Sequence, residues 1–153
     1  MNLVNLDDEN LECALDLLVE GFNSKARDRE FFRDGILRAK KNAAGYPPGL
    51  LVRSNDEYVG VVLLFWSVSE FKGRAIVRVN LSSLYLTDEG RPALIWLLKK
   101  VQKQADVVLD LTATDDIKNL LLRMNFEIIK PGADIYFVPL ELVVLGFKRM
   151  LIG

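Results

Sequence analysis

The chain has 153 residues, a length that fits one domain with a substantial core. Its 20 basic and 21 acidic residues leave a net charge of −1, which argues against nucleic acid or an anionic membrane surface as a partner. It has no histidine and a single cysteine, Cys13, so histidine-dependent nucleophiles, intrachain disulfides and cysteine-rich metal sites are excluded. The sequence shows neither a signal peptide nor an apolar stretch long enough to span a bilayer, so we expect a cytoplasmic protein without a metal.

The first part of the chain predicts a short strand followed by two helices. Val4–Leu6 is the strand, and the acidic pair after it can cap a helix. Apolar residues then recur at helical spacing from Leu11 to Phe22. Apolar residues at helical spacing also predict a second helix from Arg27 to Lys40, and a glycine and two prolines after it end this helix.

The middle of the chain changes to the two-residue period of strands. Residues 50–53, 58–66 and 75–86 predict three strands of an antiparallel meander, with the second turn at Ser67–Arg74. A helix from Pro92 to Gln104 and an apolar strand from Val107 to Leu111 follow. Because a helix joins the strands at 75–86 and 107–111, these two strands are expected to lie parallel.

The last part of the chain predicts a helix and a hairpin. The helix runs from Thr114 to Met124, with Asn125 as a left-handed capping residue. Residues 126–130 and 135–140 form the hairpin, and the apolar tail from 141 fits either a helix or a strand. This tail is also a candidate homodimer contact. We therefore predict a single α/β domain over residues 1–153, with a mixed, mostly antiparallel sheet of six to seven strands and helices on both faces.

Polar side chains recur at alternate positions of the strand at 75–86. The residues that would share one face of this strand are Ile76, Arg78, Asn80, Ser82, Leu84 and Leu86. Asp110 shares a face of the next strand with Val108 and Thr112. If the strands are neighbours, these faces could form one polar wall, where Arg78 binds an anionic acceptor and Asp110 pairs with it or accepts an amine proton. A solvated face or a structural Arg78–Asp110 pair is the alternative.

Three segments carry a resemblance to a known family. Tyr58–Val61 resembles a Val-Gly entry into a third strand, and Leu84–Arg91 resembles the end of a fourth strand and the start of a cofactor loop. Ile117–Phe126 is similar to a fourth helix and the start of a sixth strand. Together with the order of the elements, they resemble the GCN5-related N-acetyltransferase (GNAT) superfamily.

The resemblance implies an acyl-CoA-dependent acyltransferase, with N-acetyl transfer to a small-molecule amine by direct attack on the thioester. Acetyl-CoA or another acyl-CoA would lie between the fourth and fifth strands, with its pyrophosphate on N–H groups at the next helix. The cofactor contacts so implied are Leu84, Tyr85, Leu86, Arg91, Pro92, Ala93 and Thr114. Together with the polar faces, the resemblance makes Asp110, Ser82 and Asn80 candidate catalytic residues. Arg78 and Phe31 are the candidates for acceptor binding.

Two of the family's motifs are altered in this chain. Arg91 matches the first position of the loop pattern Arg/Gln-x-x-Gly-x-Gly/Ala, but Leu94 and Trp96 occupy its small positions and Pro92 removes one N–H group. Leu121 stands where relatives often carry a tyrosine that protonates the leaving thiolate. These changes favour an alternative function, a non-catalytic domain of this kind that binds a ligand or a protein partner.

Overall fold

The structure, a computed structural model, describes residues 1–23, 26–110 and 115–127. The chain divides into two compact units, Met1–Ala113 and Thr114–Gly153. The first unit contains, in chain order, β1 (Asn2–Asn5), α1 (Leu11–Gly21), α2 (Ala26–Asn42), β2 (Gly49–Ser54), β3 (Glu57–Phe71), β4 (Arg74–Leu86), a 3₁₀ turn (Arg91–Ala93), α3 (Leu94–Gln102) and β5 (Val107–Asp110). The described part of the second unit contains α4 (Asp115–Arg123). The single domain over residues 1–153 stays a prediction.

The strands of the first unit form one mixed sheet in the order β1-β2-β3-β4-β5. Neighbours from β1 to β4 pair antiparallel, whereas β4 and β5 pair in parallel. The parallel pair joined by a helix is therefore confirmed. The described residues form five strands, fewer than the six to seven predicted. Most of the predicted hairpin at 126–130 and 135–140, and the whole tail from 141, lie outside the described residues.

The hairpin between β3 and β4 closes later than the sequence predicts. The ladder continues through Ser67–Phe71, which pair with residues 74–78. The chain reverses at Lys72 and Gly73, whose φ angles of 52° and 75° suit a tight two-residue turn. The predicted turn over Ser67–Arg74 is wrong because the serines and the glutamate of this segment keep their strand pairing.

Helices lie on both faces of the sheet. α1 and α2 pack on the face that carries Leu51 and Val61. α3 lies on the other face, because Lys100 donates to Asn5 Oδ1 at 3.4 Å and Asn5 shares its face with Leu50. Leu50 and Leu51, which point to opposite faces, are both fully buried. The sheet is therefore the middle layer of the first unit.

Ion pairs join α2 to α1 along their exposed sides. Arg29 binds the carboxylates of Glu12, at 2.7 Å, and Asp16, and Arg33 binds Glu12 at 2.8 Å. The hydrogen bonds from Arg29 and then Arg33 lower the pKa of Glu12 below its usual value. These contacts fix the direction of α1, whose last turn carries Glu20.

The second unit ends its described helix as the sequence predicts. Asn125 has a φ of 64°, and the Phe126 N–H donates to the Leu121 carbonyl at 3.0 Å, which confirms the left-handed cap. No helix in the described ranges is long and apolar enough to cross a membrane. The cytoplasmic location and the homodimer contact stay predictions.

Candidate functional site

β4 contains an extra residue near its C-terminal end. Leu63 pairs with Ser82 and Val61 with Tyr85, so one residue of β3 lies opposite two of β4. Ser83, inside this bulge, has a φ of 49°, in the left-handed region. This conformation costs a residue with a side chain roughly 1–2 kcal/mol. Such bulges redirect side chains and often lie beside binding sites.

The bulge changes which side chains of β4 share a face. Ser82 and Tyr85 both pair with β3 residues of the core under α1 and α2. Four side chains therefore form a row on that face, the β4 row: Arg78, Asn80, Ser82 and Tyr85. The prediction that Leu84 and Leu86 continue the face of Ser82 is wrong, because the extra residue reverses the alternation beyond Ser82.

The β4 row carries one buried polar atom without a hydrogen-bond partner among the described residues. This atom is Asn80 Oδ1. Its neighbours in the row are engaged, since Arg78 donates to Ser69 Oγ and the hydroxyls of Ser82 and Ser83 lie 3.5 Å apart. A buried carbonyl oxygen without a donor is destabilising, and it offers an N–H or O–H group of a ligand a place to bind.

Tyr85 at the end of the row reaches α1. Its hydroxyl donates to Glu20 Oε1 at 3.1 Å. Its ring packs directly on Gly21, where a Cβ would lie 2.1 Å from Tyr85 Cγ. Partial burial, and secondly the hydrogen bond to Glu20, raise the pKa of Tyr85. Sequence reasoning missed Glu20, because it lies off the apolar stripe of α1 and 65 residues from Tyr85.

The structure separates Asp110 from the β4 row. Asp110 pairs with Leu81 and Val108 with Val79, so both lie on the face opposite to Asn80. The predicted polar wall is wrong, because adjacent parallel strands place paired residues on the same face. A structural Arg78–Asp110 pair is excluded for the same reason.

Three other sequence candidates are Phe31, Thr114 and Leu121. Phe31 is 66% exposed on α2 and its ring packs edge-on against Phe32, so it is not in an enclosed pocket. Thr114 lies outside the described residues, and Leu121 belongs to the second unit. Within the described ranges, no three acidic or cysteine side chains are grouped so as to hold a metal.

The backbone of β4 beyond the bulge presents donors to the side of β5. The Thr87 N–H donates to the Val59 carbonyl of β3 at 3.0 Å. Since antiparallel hydrogen bonding alternates along a strand, the N–H groups of Leu84 and Leu86 point away from β3. The described part of β5 pairs with β4 only as far as Leu81.

The turn that follows β4, residues 87–94, uses the backbone N–H groups of Gly90 and Arg91 internally. The Gly90 N–H donates to Thr87 Oγ1 at 3.2 Å, and the Arg91 N–H donates to the Thr87 carbonyl at 3.0 Å. Thr87 Oγ1 itself donates to the Val59 carbonyl at 3.1 Å. Thr87 therefore ties this turn both to itself and to β3.

The positions after Arg91 also lack a free N–H group. The Ala93 N–H donates to the Gly90 carbonyl at 2.9 Å, and the Leu94 N–H donates to the Arg91 carbonyl. Pro92 has no N–H group. From Gly90 to Leu94, no backbone donor is left for a ligand.

Comparison with solved structures identifies the fold. A GCN5-related N-acetyltransferase from Ralstonia eutropha JMP134 superposes with a TM-score of 0.61 and 16% identity, over 88% of this chain and 97% of that one. AAC(6')-Iy, in complex with the bisubstrate analog CoA-S-monomethyl-acetylneamine, superposes with a TM-score of 0.60 and 12% identity, over 90% of this chain and 97% of that one. A transcriptional regulator from Bacillus halodurans C-125 superposes with a TM-score of 0.58 and 11% identity, over 89% of this chain and 99% of that one. The chain has the GNAT fold. No protein-family model and no curated protein matches it by sequence.

The GNAT fold implies acyl-CoA, whose pyrophosphate would need free N–H groups at the β4–α3 turn. From Gly90 to Leu94 the turn offers none, because each N–H group there is already bonded or missing. The small residues that would allow close approach are replaced by Leu94 and Trp96. A pyrophosphate therefore does not fit on Gly90–Leu94, whereas the outward N–H groups of Leu84 and Leu86 are donors of the kind that an amide or thioester carbonyl accepts from.

Proposed function

We propose that the protein is a GNAT-type acyltransferase that moves an acyl group from a thioester donor of the acyl-CoA class to a small-molecule amine. The bulge at Ser83 carries the proposal. It places Tyr85 in line with Asn80 and Ser82 and turns two backbone donors toward the edge of β4. The likeness to acetyltransferase structures, one of them with a CoA bisubstrate analog, supports it.

The reaction needs little from the side chains. The neutral amine nitrogen attacks the thioester carbonyl carbon, a C–N bond forms and the C–S bond breaks. The nitrogen loses a proton and the leaving sulfur gains one, so amide and free thiol are the products. The N–H of Leu84 would stabilise the charge on the carbonyl oxygen, and that of Leu86 would hold the arm of the donor. Solvent would carry the protons.

The acceptor would bind on the face of the β4 row. Asn80 Oδ1 accepts a hydrogen bond from it, which removes the cost of a buried oxygen without a donor. Glu20, held by Tyr85, supplies a carboxylate at the other end of the row. This combination suits an amine whose cationic form is attracted by Glu20 and whose neutral form reacts.

The test is the release of thiol from acetyl-CoA and S-acetylpantetheine in the presence of 1,4-diaminobutane, tyramine and an amino sugar. We expect release that depends on the amine, with a higher KM for the amine in the Glu20→Gln variant and little change in kcat. Each donor without amine is the control. The proposal fails if no amine increases thiol release and neither donor raises the melting temperature; the non-catalytic alternative would then hold.

A further inference from the structure

The β4–α3 turn differs from an anion site in charge as well as in its hydrogen bonds. Its side chains include two carboxylates, Asp88 and Glu89, and one guanidinium, Arg91. Arg91 is paired with Asp88 at 3.2 Å, and both are well exposed. The local charge is therefore negative, and the cation that could attract a phosphate already has an anionic partner.

The closed form of the turn is fixed by β3. A Cβ on Gly90 would lie 2.2 Å from the Val59 carbonyl oxygen, so the backbone of the turn rests directly on that strand. Thr87 also bonds that same oxygen with both its N–H and its hydroxyl, at 3.0 Å and 3.1 Å. A ligand that needed the N–H groups of Gly90 or Arg91 would have to break the bonds of Thr87 first.

The helix that follows presents apolar side chains beside the turn. Ile95 is 43% exposed and Trp96 is 57% exposed, in the first turn of α3. Neither side chain carries a charge that could pair with a phosphate, and the indole N–H of Trp96 is their one hydrogen-bond donor. The surface where a nucleotide's phosphates would lie thus has no free N–H group from Gly90 to Leu94, a negative net charge on the turn, and apolar side chains at the start of α3.

We propose that this protein recognises its acyl donor through the thioester and the pantetheine arm, without binding the nucleotide end of CoA. This inference rests on the proposed acyltransferase function and names its donor class: acyl thioesters of a pantetheine arm, whatever that arm is attached to. The backbone N–H of Leu84 binds the thioester carbonyl, and that of Leu86 holds the arm. Acyl-CoA is then one donor among several, and its phosphates add nothing to binding.

Isothermal titration of the full chain with three ligands tests the inference. The ligands are acetyl-CoA, S-acetylpantetheine and adenosine 3′,5′-bisphosphate, each at low and at high salt. We expect the two thioesters to bind with dissociation constants that agree within about threefold, with no saturable binding of the bisphosphate. Salt would weaken any contact to the phosphates of acetyl-CoA by screening it. Because we expect no such contact, the ratio of the two dissociation constants should be the same at low and at high salt.

The possible results separate this inference from the proposed function. Binding of acetyl-CoA more than about 30-fold tighter than S-acetylpantetheine, with competition by the bisphosphate, would overturn the inference and leave the acyltransferase proposal intact. Failure of both thioesters to bind would overturn the acyltransferase proposal, and the donor class with it. Equal binding of both supports the two together.

Discussion

The hydroxyl of Tyr85 lies 3.1 Å from a carboxylate oxygen of Glu20 and joins the end of β4 to the last turn of α1. This contact exists because the bulge at Ser83 turns Tyr85 toward α1 and because Gly21 has no side chain to obstruct its ring. It places the carboxylate of Glu20 at the end of the β4 row. The contact thereby supplies the only acidic group that we assign to the acceptor side.

Glu20→Gln should lower the pKa of Tyr85. Burial and then the bond to Glu20 raise it, so the folded protein holds the phenolic proton more tightly than the unfolded chain does. The stability from this group is complete below pH about 10 and is lost as the pH rises through the folded pKa. Ultraviolet titration of the phenolates, with Tyr85→Phe to assign the signal, checks the shift. Identical curves for wild type and Glu20→Gln would show that the pair does not form.

Asn80→Leu should stabilise the protein and impair its reaction. Removing a buried oxygen that lacks a partner is worth about 1 kcal/mol, whereas the acceptor loses a hydrogen bond and kcat/KM falls about tenfold. Urea unfolding and thiol release measure the two effects. Gln104→Leu is the matched control, because its Oε1 is also buried without a partner among the described residues but lies away from the β4 row. Equal losses of activity in both variants would refute a role for Asn80.

Gly90→Ala should destabilise the protein by about 2–3 kcal/mol, because the new Cβ would meet the Val59 carbonyl oxygen at 2.2 Å. Gly35→Ala is the control, since a Cβ on this residue of α2 would meet nothing within 4 Å. This substitution should add about 0.5–1 kcal/mol of stability, because alanine loses less conformational freedom than glycine in a helix. Thermal unfolding compares them. A neutral Gly90→Ala would mean that the turn is not packed on β3.

Ser83→Gly should stabilise the protein by about 1 kcal/mol, because glycine adopts the φ of 49° without steric cost. Ser83→Val should destabilise it, since a β-branched residue tolerates this conformation least. Chemical unfolding of the two variants gives the order. If valine were tolerated as well as glycine, the bulge would not be at this residue.

Most of the secondary structure could be predicted from the sequence because helical and strand periods depend on local spacing. The bounds of α2, α3 and α4 differ by only one or two residues from the prediction. The grouping of the polar side chains failed at Ser83, because no residue there signals a bulge and one extra residue reverses the face of everything after it. The separation of Asp110 from Asn80 depends on strand register, which the sequence of either strand alone does not specify.

The β4–α3 turn shows a second feature that the sequence alone does not predict. Pro92, Leu94 and Trp96 already indicate an altered cofactor loop in the sequence. The bonds that use the N–H groups of Gly90 and Arg91 depend on the position of Thr87 relative to β3. Motif reasoning can detect the loss of small residues, but it cannot show whether the remaining donors are free.

The most direct test of the account is a titration of the ¹⁵N-labelled protein with S-acetylpantetheine and acetyl-CoA, followed by amide chemical shifts. We expect both ligands to shift the amides of Leu84 and Leu86 and to leave those of Gly90, Arg91 and Ala93 in place. Shifts at Gly90–Ala93 with acetyl-CoA, or unchanged amides along β4 with both ligands, would contradict it.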